Sequence, residues 1–220
     1  MTYKAVLTAD VENSTRLDAR TLERVLAVLQ EELRELKQAG MLEGFELYRG
    51  DSAQAVVARP SQALKAAFRI KTAINRLDRD KQPSGRGQAV LYNIRIAVGV
   101  GEAEERANAV MTNDEPFVLS GKGLNEISGK KMSLGVFTSR EVINREMAVE
   151  LYLFDWIMQQ WSLSSAGVIY EKLQDKTERQ IAGEMNISQP AVNQRSSAAC
   201  WNGLALLLRR YETLIGEYYD

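Results

Sequence analysis

The sequence predicts an α+β fold: a ferredoxin-like α/β sandwich over residues 1–140, followed by an all-α domain over 141–220. Three observations point there. From Tyr3 to Thr8 the chain alternates Tyr3, Ala5 and Leu7 with Lys4, Val6 and Thr8 and is mostly apolar, which suits a central strand covered on both faces. Up to Phe137, strand-like and amphipathic helical runs follow in the order β-α-β-β-α-β-(β)-α-β. Paired strands flanked by helices on one side make a ferredoxin-like sandwich extended by extra strands. From about Ser139 onward, helical spacing is the only pattern left.

Each element has its own signal. Asp10 stands where the first strand stops, and Glu12, Asn13, Ser14 and Thr15 suit a turn or a helix N-cap. An acid at the end of a central strand, beside a loop of exposed N–H donors, is good geometry for a metal-bound phosphate. The plainer alternative is that Asp10 only starts a turn. Leu22, Val25, Leu26, Leu29, Leu33 and Leu36 predict a helix over 20–38 that ends at Gly40, with the charges from Glu31 to Lys37 on its solvated face. Runs at 45–48 and 53–58 read as a hairpin around Arg49, Gly50 and Asp51. Pro60 opens a helix over 61–77 with Leu64, Ala67, Phe68, the Lys71 stem and Ile74 on one side.

The polar stretch 78–88, with Pro83, Gly85 and Gly87, reads as a loop. Residues 90–100 alternate as a long strand ending at Gly99 and Gly101, and 102–113 read as a hairpin return or an excursion. Glu115 and Pro116 start a helix that carries Phe117, Leu119, Leu124 and Ile127, and 132–137 form a further strand. Helices are then expected over 142–161, 163–173, 177–185, 188–208 and 211–218.

Composition removes several chemistries. The chain has 220 residues, 45% hydrophobic and 26% charged, as in a soluble globular protein of one large or two modest domains. No segment has the apolar length of a membrane span, and the start lacks a signal-peptide pattern. Cys200 is the only cysteine, so an internal disulfide and a thiolate metal cluster are excluded, and a cytoplasmic setting is expected. With no histidine, Ser-His-Asp and Cys-His catalysis and His-ligated zinc are excluded too. A metal here would be hard and oxygen-ligated, Mg²⁺ or Mn²⁺. The net charge of −1 offers no general attraction to nucleic acid.

Four pieces carry a family resemblance: TADVENST at 8–15, YRGDS at 48–52, ALKAAFRIKTAI at 63–74 and IRIAVGVGE at 94–102. In order and spacing, residues 3–138 resemble the class III nucleotidyl cyclase fold, and more closely the SatD-like proteins, a distant branch of it. The resemblance implies a two-metal site in which Asp10 ends the first strand and Asp51 sits at the hairpin tip. Two divalent ions there polarise a nucleoside triphosphate and activate its 3′-hydroxyl. It also implies nucleotide contacts from Glu12, Asn13, Ser14 and Thr15, a metal contact from the Val11 carbonyl, and a tight turn at Gly50. A Val-Asn pair followed by an Arg is expected on a later helix. One register sets Asn125 and Gly129 at the Asn and the Arg. The preferred one sets Phe117 and Val118 at the pair and Lys122 at the catalytic Arg. A base-selecting Lys would fall near Leu47, and Asn13 stands where a Gly is usual. The metal-binding half of the pattern is therefore better kept than the half that selects the base and drives cyclisation.

Residues 177–195, TERQIAGEMNISQPAVNQR, resemble a bacterial helix-turn-helix. Ser188 is a natural N-cap, Pro190 lies in the first turn, and Ala182, Ile187 and Val192 suit a small core. Gln189, Asn193, Gln194 and Arg195 would then face DNA, with Lys172, Lys176 and Arg179 as a basic surround. Residues 146–220 nevertheless hold six Lys or Arg against ten Asp or Glu, so the region is net acidic. Trp156, Trp161 and Trp201 read as core or dimer interface, and Cys200 as a small buried residue.

The functional expectation is a nucleotide- or metal-responsive transcriptional regulator with a degenerate cyclase-like sensor domain and a DNA-binding helix-turn-helix; its partners are a nucleoside triphosphate or related nucleotide, DNA and a second copy of the chain.

 The alternatives are an active Mg²⁺- or Mn²⁺-dependent nucleotidyl cyclase whose helical tail mediates assembly, and a non-catalytic interaction protein.

Overall fold

β1, Thr2–Val11, is the middle strand of a five-stranded sheet. In this computed structural model the described residues are 2–48, 50–77, 92–104 and 113–220. β1 pairs antiparallel with β3, Ser52–Val57, on one side and with β4, Ile94–Ala103, on the other. β2, Leu42–Leu47, borders β3, and β5, Leu134–Thr138, runs parallel to β4, giving the order β2-β3-β1-β4-β5. With α1, Ala19–Gln38, and α2, Ala63–Asn75, the first four strands form the expected ferredoxin-like βαββαβ unit. α3, Glu115–Gly129, is the crossover that lets β5 lie parallel to β4. The loop read at 78–88, the start of the strand at 90–91 and most of the excursion at 102–113 lie outside the described residues.

The two-residue period of β1 decides what each face meets. Ala5, Leu7, Ala9 and Val11 enter the main core with Val25, Leu29, Leu33 and Leu36 of α1 and Leu64, Phe68 and Ile74 of α2. On the opposite face, Val6 packs with Val56 and with Phe117 of α3. Helices therefore cover both faces, which corrects the one-sided arrangement expected from the element order. Gly99 and Gly101 do not end their strand either, because β4 continues to Ala103. A Cβ at Gly99 would lie 2.2 Å from the Pro116 carbonyl oxygen and 2.5 Å from the Ser120 nitrogen. The glycine is there because the α3 backbone rests directly on the strand.

Two charged residues are deeper than their sequence surroundings suggest. Glu32, expected on a solvated face, is buried between α1, α2 and α5, Leu163–Lys172. Its carboxylate pairs with Arg69 at 2.8 Å and accepts a 2.6 Å hydrogen bond from the Tyr170 hydroxyl. Burial raises its pKa, and the Tyr170 hydrogen bond and Arg69 oppose that rise. Lys71, expected to bury only its stem, is buried to the ammonium. Its Nζ donates to Asn93 Oδ1 at 2.6 Å and to the Ile94 carbonyl at 3.1 Å, and desolvation lowers its pKa to about 8.

The remaining helices are α4, Glu141–Met158; α6, Glu178–Glu184; α7, Gln189–Ala198; and α8, Trp201–Tyr219. The helix expected over 188–208 breaks at Cys200, whose left-handed φ of 58° separates α7 from α8. After the break, α8 runs unbroken to Tyr219. Cys200 is half-buried, not fully buried. The apolar core is continuous across the chain. Phe68 meets Phe154 of α4 edge to face at 5.6 Å, Phe154 meets Trp161 at 6.2 Å, and the buried Tyr211 hydroxyl of α8 donates to the Pro60 carbonyl at 3.0 Å. Val168, Ile181 and Val192 form a separate small core with Ala182, Met185 and Ile187. Thr177 closes a capping box at the start of α6, and Ser188 caps α7. Among the described residues, no helix is long and apolar enough to cross a membrane.

Candidate functional site

Asp10 lies at the end of β1 on the α3 face, two and four residues after Thr8 and Val6. The antiparallel ladders place it opposite Ser52 of β3 and Arg95 of β4. Arg95 donates from Nε to Asp10 Oδ1 at 2.8 Å and from Nη2 to Oδ2 at 2.6 Å, while its Nη1 donates to the Ser128 hydroxyl of α3. Both oxygens of Asp10 are thus taken by one guanidinium. The Arg95 pKa is raised, first by the Asp10 hydrogen bond and then by the nearby charges of Asp10, Glu12 and Asp51.

Asp51 precedes β3 at the tip of the β2–β3 hairpin. Its carbonyl accepts from the Val11 amide at 3.0 Å, which ties the tip to the end of β1. Its carboxylate accepts from the Ser14 hydroxyl, and from Ser52 Oγ at 3.4 Å. Gly50 beside it has φ of 110°, a conformation that glycine adopts without strain. Asp10, Glu12, Ser14 and Asp51 therefore lie around one strand end.

The loop after β1 is partly self-satisfied. The Glu12 amide donates to the Asn93 carbonyl at 2.9 Å, and Asn93 Nδ2 donates to Glu12 Oε2 at 2.7 Å. Asn13 has a left-handed φ of 57°, which asparagine tolerates better than most residues. Within the described residues, the amides of Asn13, Ser14 and Thr15 make no backbone hydrogen bond, so these are the donors the loop presents. Behind the acids, a polar row crosses the sheet on the α3 face. Tyr48 donates to Gln54 at 2.9 Å, Gln54 donates to Thr8 at 3.2 Å, and Thr8 and Ser120 share a 2.8 Å hydrogen bond.

Lys122 is not part of this cluster. It is exposed on α3, whose buried residues Ser120, Gly123 and Ile127 face the sheet. Among the described residues, the side-chain partners of Asp10 and Asp51 are Arg95, Ser14 and Ser52 instead. Arg95 meets Asp10 from the facing strand, a pairing that no local pattern in the sequence announces. The alternation of 94–102 signals its strand, but its partner becomes visible only from the β1–β4 register. Among the described residues, no three acids, cysteines or histidines come together as a metal cluster. The oxygen donors present are nevertheless of the kind a hard cation takes. Mg²⁺ is commonly bound by one or two carboxylates plus substrate phosphates; Asp10 and Asp51 are two carboxylates at this strand end, with both oxygens of Asp10 held by Arg95.

The second candidate surface holds together less well. Gln189, Asn193 and Gln194 are exposed on α7, and Arg195 is half-buried. The basic surround expected beside them is largely neutralised. Lys172 pairs with Glu178 at 3.1 Å, and Lys176 pairs with Glu171 at 2.7 Å and with Glu184 at 2.5 Å. The Glu178 pKa is lowered, first by its Lys172 hydrogen bond and last by the side chains of Asn193 and Gln189, so an acid lies beside residues expected to read bases.

The fold and the cluster define an α+β chain with two acids and an arginine at the end of its central strand. No family model matches the chain, and no curated protein matches it. Among solved structures it is similar to the active GGEEF domain of a diguanylate cyclase from Vibrio cholerae, with a TM-score of 0.45 and 12% sequence identity over 64% of this chain and 85% of that one.

Proposed function

We propose that the end of β1 is a nucleoside-triphosphate site of the nucleotidyl cyclase type, served by Mg²⁺ or Mn²⁺. The observation that carries this reading is the convergence of Asp10, Asp51 and Arg95 at one strand end, beside the amides of 13–15, which make no backbone hydrogen bond among the described residues. Asp10 and Asp51 would hold the cation, which when bound polarises the phosphates and lowers the pKa of an attacking hydroxyl. The protein's own groups supply the rest. Arg95 can exchange the Asp10 carboxylate for phosphate oxygens, which a guanidinium binds with the same bidentate geometry. The Asn13, Ser14 and Thr15 amides donate to the remaining phosphate oxygens. Lys122 lies outside this set, so a catalytic role for it finds no support in its position.

The reaction in this class is attack of the ribose 3′-oxygen on the α-phosphorus, with loss of the bond to pyrophosphate. Incubation with each of the four nucleoside triphosphates and Mn²⁺, followed by chromatography, tests it. Cyclic nucleotide and pyrophosphate in equal amounts, absent with Asp51→Ala, establish turnover. Absence of both products with every nucleotide rejects turnover and leaves binding as the site's function.

A second reading, transcriptional regulation through 177–195, rests on the separate core of Val168, Ile181 and Val192, which fixes α6 and α7 as a unit. The lysine–glutamate pairs and Glu178 weigh against it. Electrophoretic mobility of DNA fragments with wild-type protein and with Arg195→Ala separates the two readings: a shift that the substitution abolishes supports regulation, and no shift at low salt removes it.

A further inference from the structure

We propose that α4 is the interface of an antiparallel homodimer in which Trp156 of each copy enters the groove between α4 and α8 of the other. Val142, Val149, Tyr152, Leu153 and Trp156 of α4, with Leu206 of α8, are each between 59% and 68% exposed. Val142, Val149 and Trp156 are seven residues apart, and Tyr152 and Leu153 complete the same stripe, which is the spacing of a helix-packing seam. The stripe is continuous with a groove of about 430 Å³, lined by Leu153, Phe154 and Ile157 of α4 and Leu206 and Leu207 of α8. Contiguous apolar surface of this extent is unusual on a monomer and marks an interaction site.

A polar detail selects the occupant. Glu150 also lines the groove, and its Oε2 is buried with no hydrogen-bond partner among the described residues. Burial raises its pKa, and the neighbouring Glu146 adds to the rise. Arg210, the nearest cation, is held by Glu146 through hydrogen bonds of 2.6 and 3.2 Å. The groove therefore calls for an apolar body with one N–H donor, which is the description of an indole. Trp156 is such a group on the same helix, six residues after Glu150 and two before the helix ends at Met158. A twofold axis beside Leu153 sets Leu153 against its own copy and brings Trp156 of each chain opposite Glu150 of the other. One surface then satisfies itself, as an isologous interface requires. Six half-exposed apolar side chains approach the scale of a stable interface, roughly 800 Å² per partner, and an aromatic anchor in a groove is the usual hot spot.

Sedimentation equilibrium of the full chain tests the state, and cysteine cross-linking tests the register. Wild-type protein should be dimeric at concentrations on the order of 100 µM. Trp156→Ala should weaken the dimer by about 30-fold or more, with the circular dichroism spectrum unchanged because the side chain is exposed. In a Cys200→Ser background, Leu153→Cys should form an intermolecular disulfide on oxidation and Val142→Cys should not. A wild-type monomer, a dimer indifferent to Trp156→Ala, or cross-linking through Val142→Cys but not Leu153→Cys would each overturn the proposal.

Discussion

Arg95 grips Asp10 through two hydrogen bonds, of 2.8 and 2.6 Å, across a single rung of the β1–β4 ladder. The acid at the end of the central strand therefore has its counter-charge built in, and that charge is on a group suited to phosphate. Replacing Arg95 by Ala removes a bidentate charged contact. Such contacts contribute about 1.5–3 kcal/mol, so nucleoside-triphosphate affinity should fall roughly 10- to 100-fold. Isothermal titration of the variant against wild type measures it, and unchanged affinity would remove Arg95 from the site.

Gly99→Ala tests the close contact between α3 and β4. The added methyl meets the Pro116 and Ser120 backbones, which cannot rotate away as a side chain would. A loss of about 1–3 kcal/mol in urea unfolding is expected, as for other overpacked cores. Gly121→Ala, where a Cβ meets nothing within 4 Å, should cost no stability and serves as the control.

Lys71 gives the stability a pH dependence. Its folded pKa of about 8 lies below its ordinary 10.5, so between those values the unfolded chain holds the proton that the folded chain has lost. Stability therefore rises with pH through that window, and the gain is lost as pH falls through 8. Relative to Lys71→Met, wild-type protein should gain roughly 2 kcal/mol between pH 7.5 and 9.5. Urea unfolding of both proteins at the two pH values reads this directly; parallel curves would mean that the buried ammonium is not desolvated.

Tyr170→Phe removes the hydroxyl that donates to the buried Glu32 carboxylate. The carboxylate keeps Arg69 but loses its shortest hydrogen bond. A loss of about 1–3 kcal/mol is expected, seen as a lower urea midpoint with an unchanged slope. A variant as stable as wild type would show that Arg69 alone satisfies Glu32.

Much of this was legible in the sequence, and what was not has physical reasons. The alternation of 3–8 and the leucine spacing of 22–36 state their elements outright, because each reports one face of one element. Asp10 and Asp51 were legible because strand ends and hairpin tips carry local signals. Arg95 was not, because its role depends on register between strands more than 80 residues apart, which a local pattern does not contain. Lys71 and Glu32 are more deeply buried than their local sequence implies, for a related reason. A charged residue on an amphipathic helix reads as solvated until the second helix that buries it is in place. Gly99 resembled a strand terminator, but its cause is the α3 backbone lying on it. The break at Cys200 has no glycine or proline to announce it; the chain turns there through a left-handed cysteine.

The central claim is that Asp10, Asp51 and Arg95 form a cation-dependent nucleotide site. Its most direct test is equilibrium titration of wild-type protein and Asp51→Ala with each nucleoside triphosphate, with Mn²⁺ and with EDTA. Saturable binding of at least one nucleotide that needs Mn²⁺ and falls at least about 10-fold in Asp51→Ala is the predicted result. No binding of any of the four, or binding that is the same in the variant and in EDTA, would contradict it.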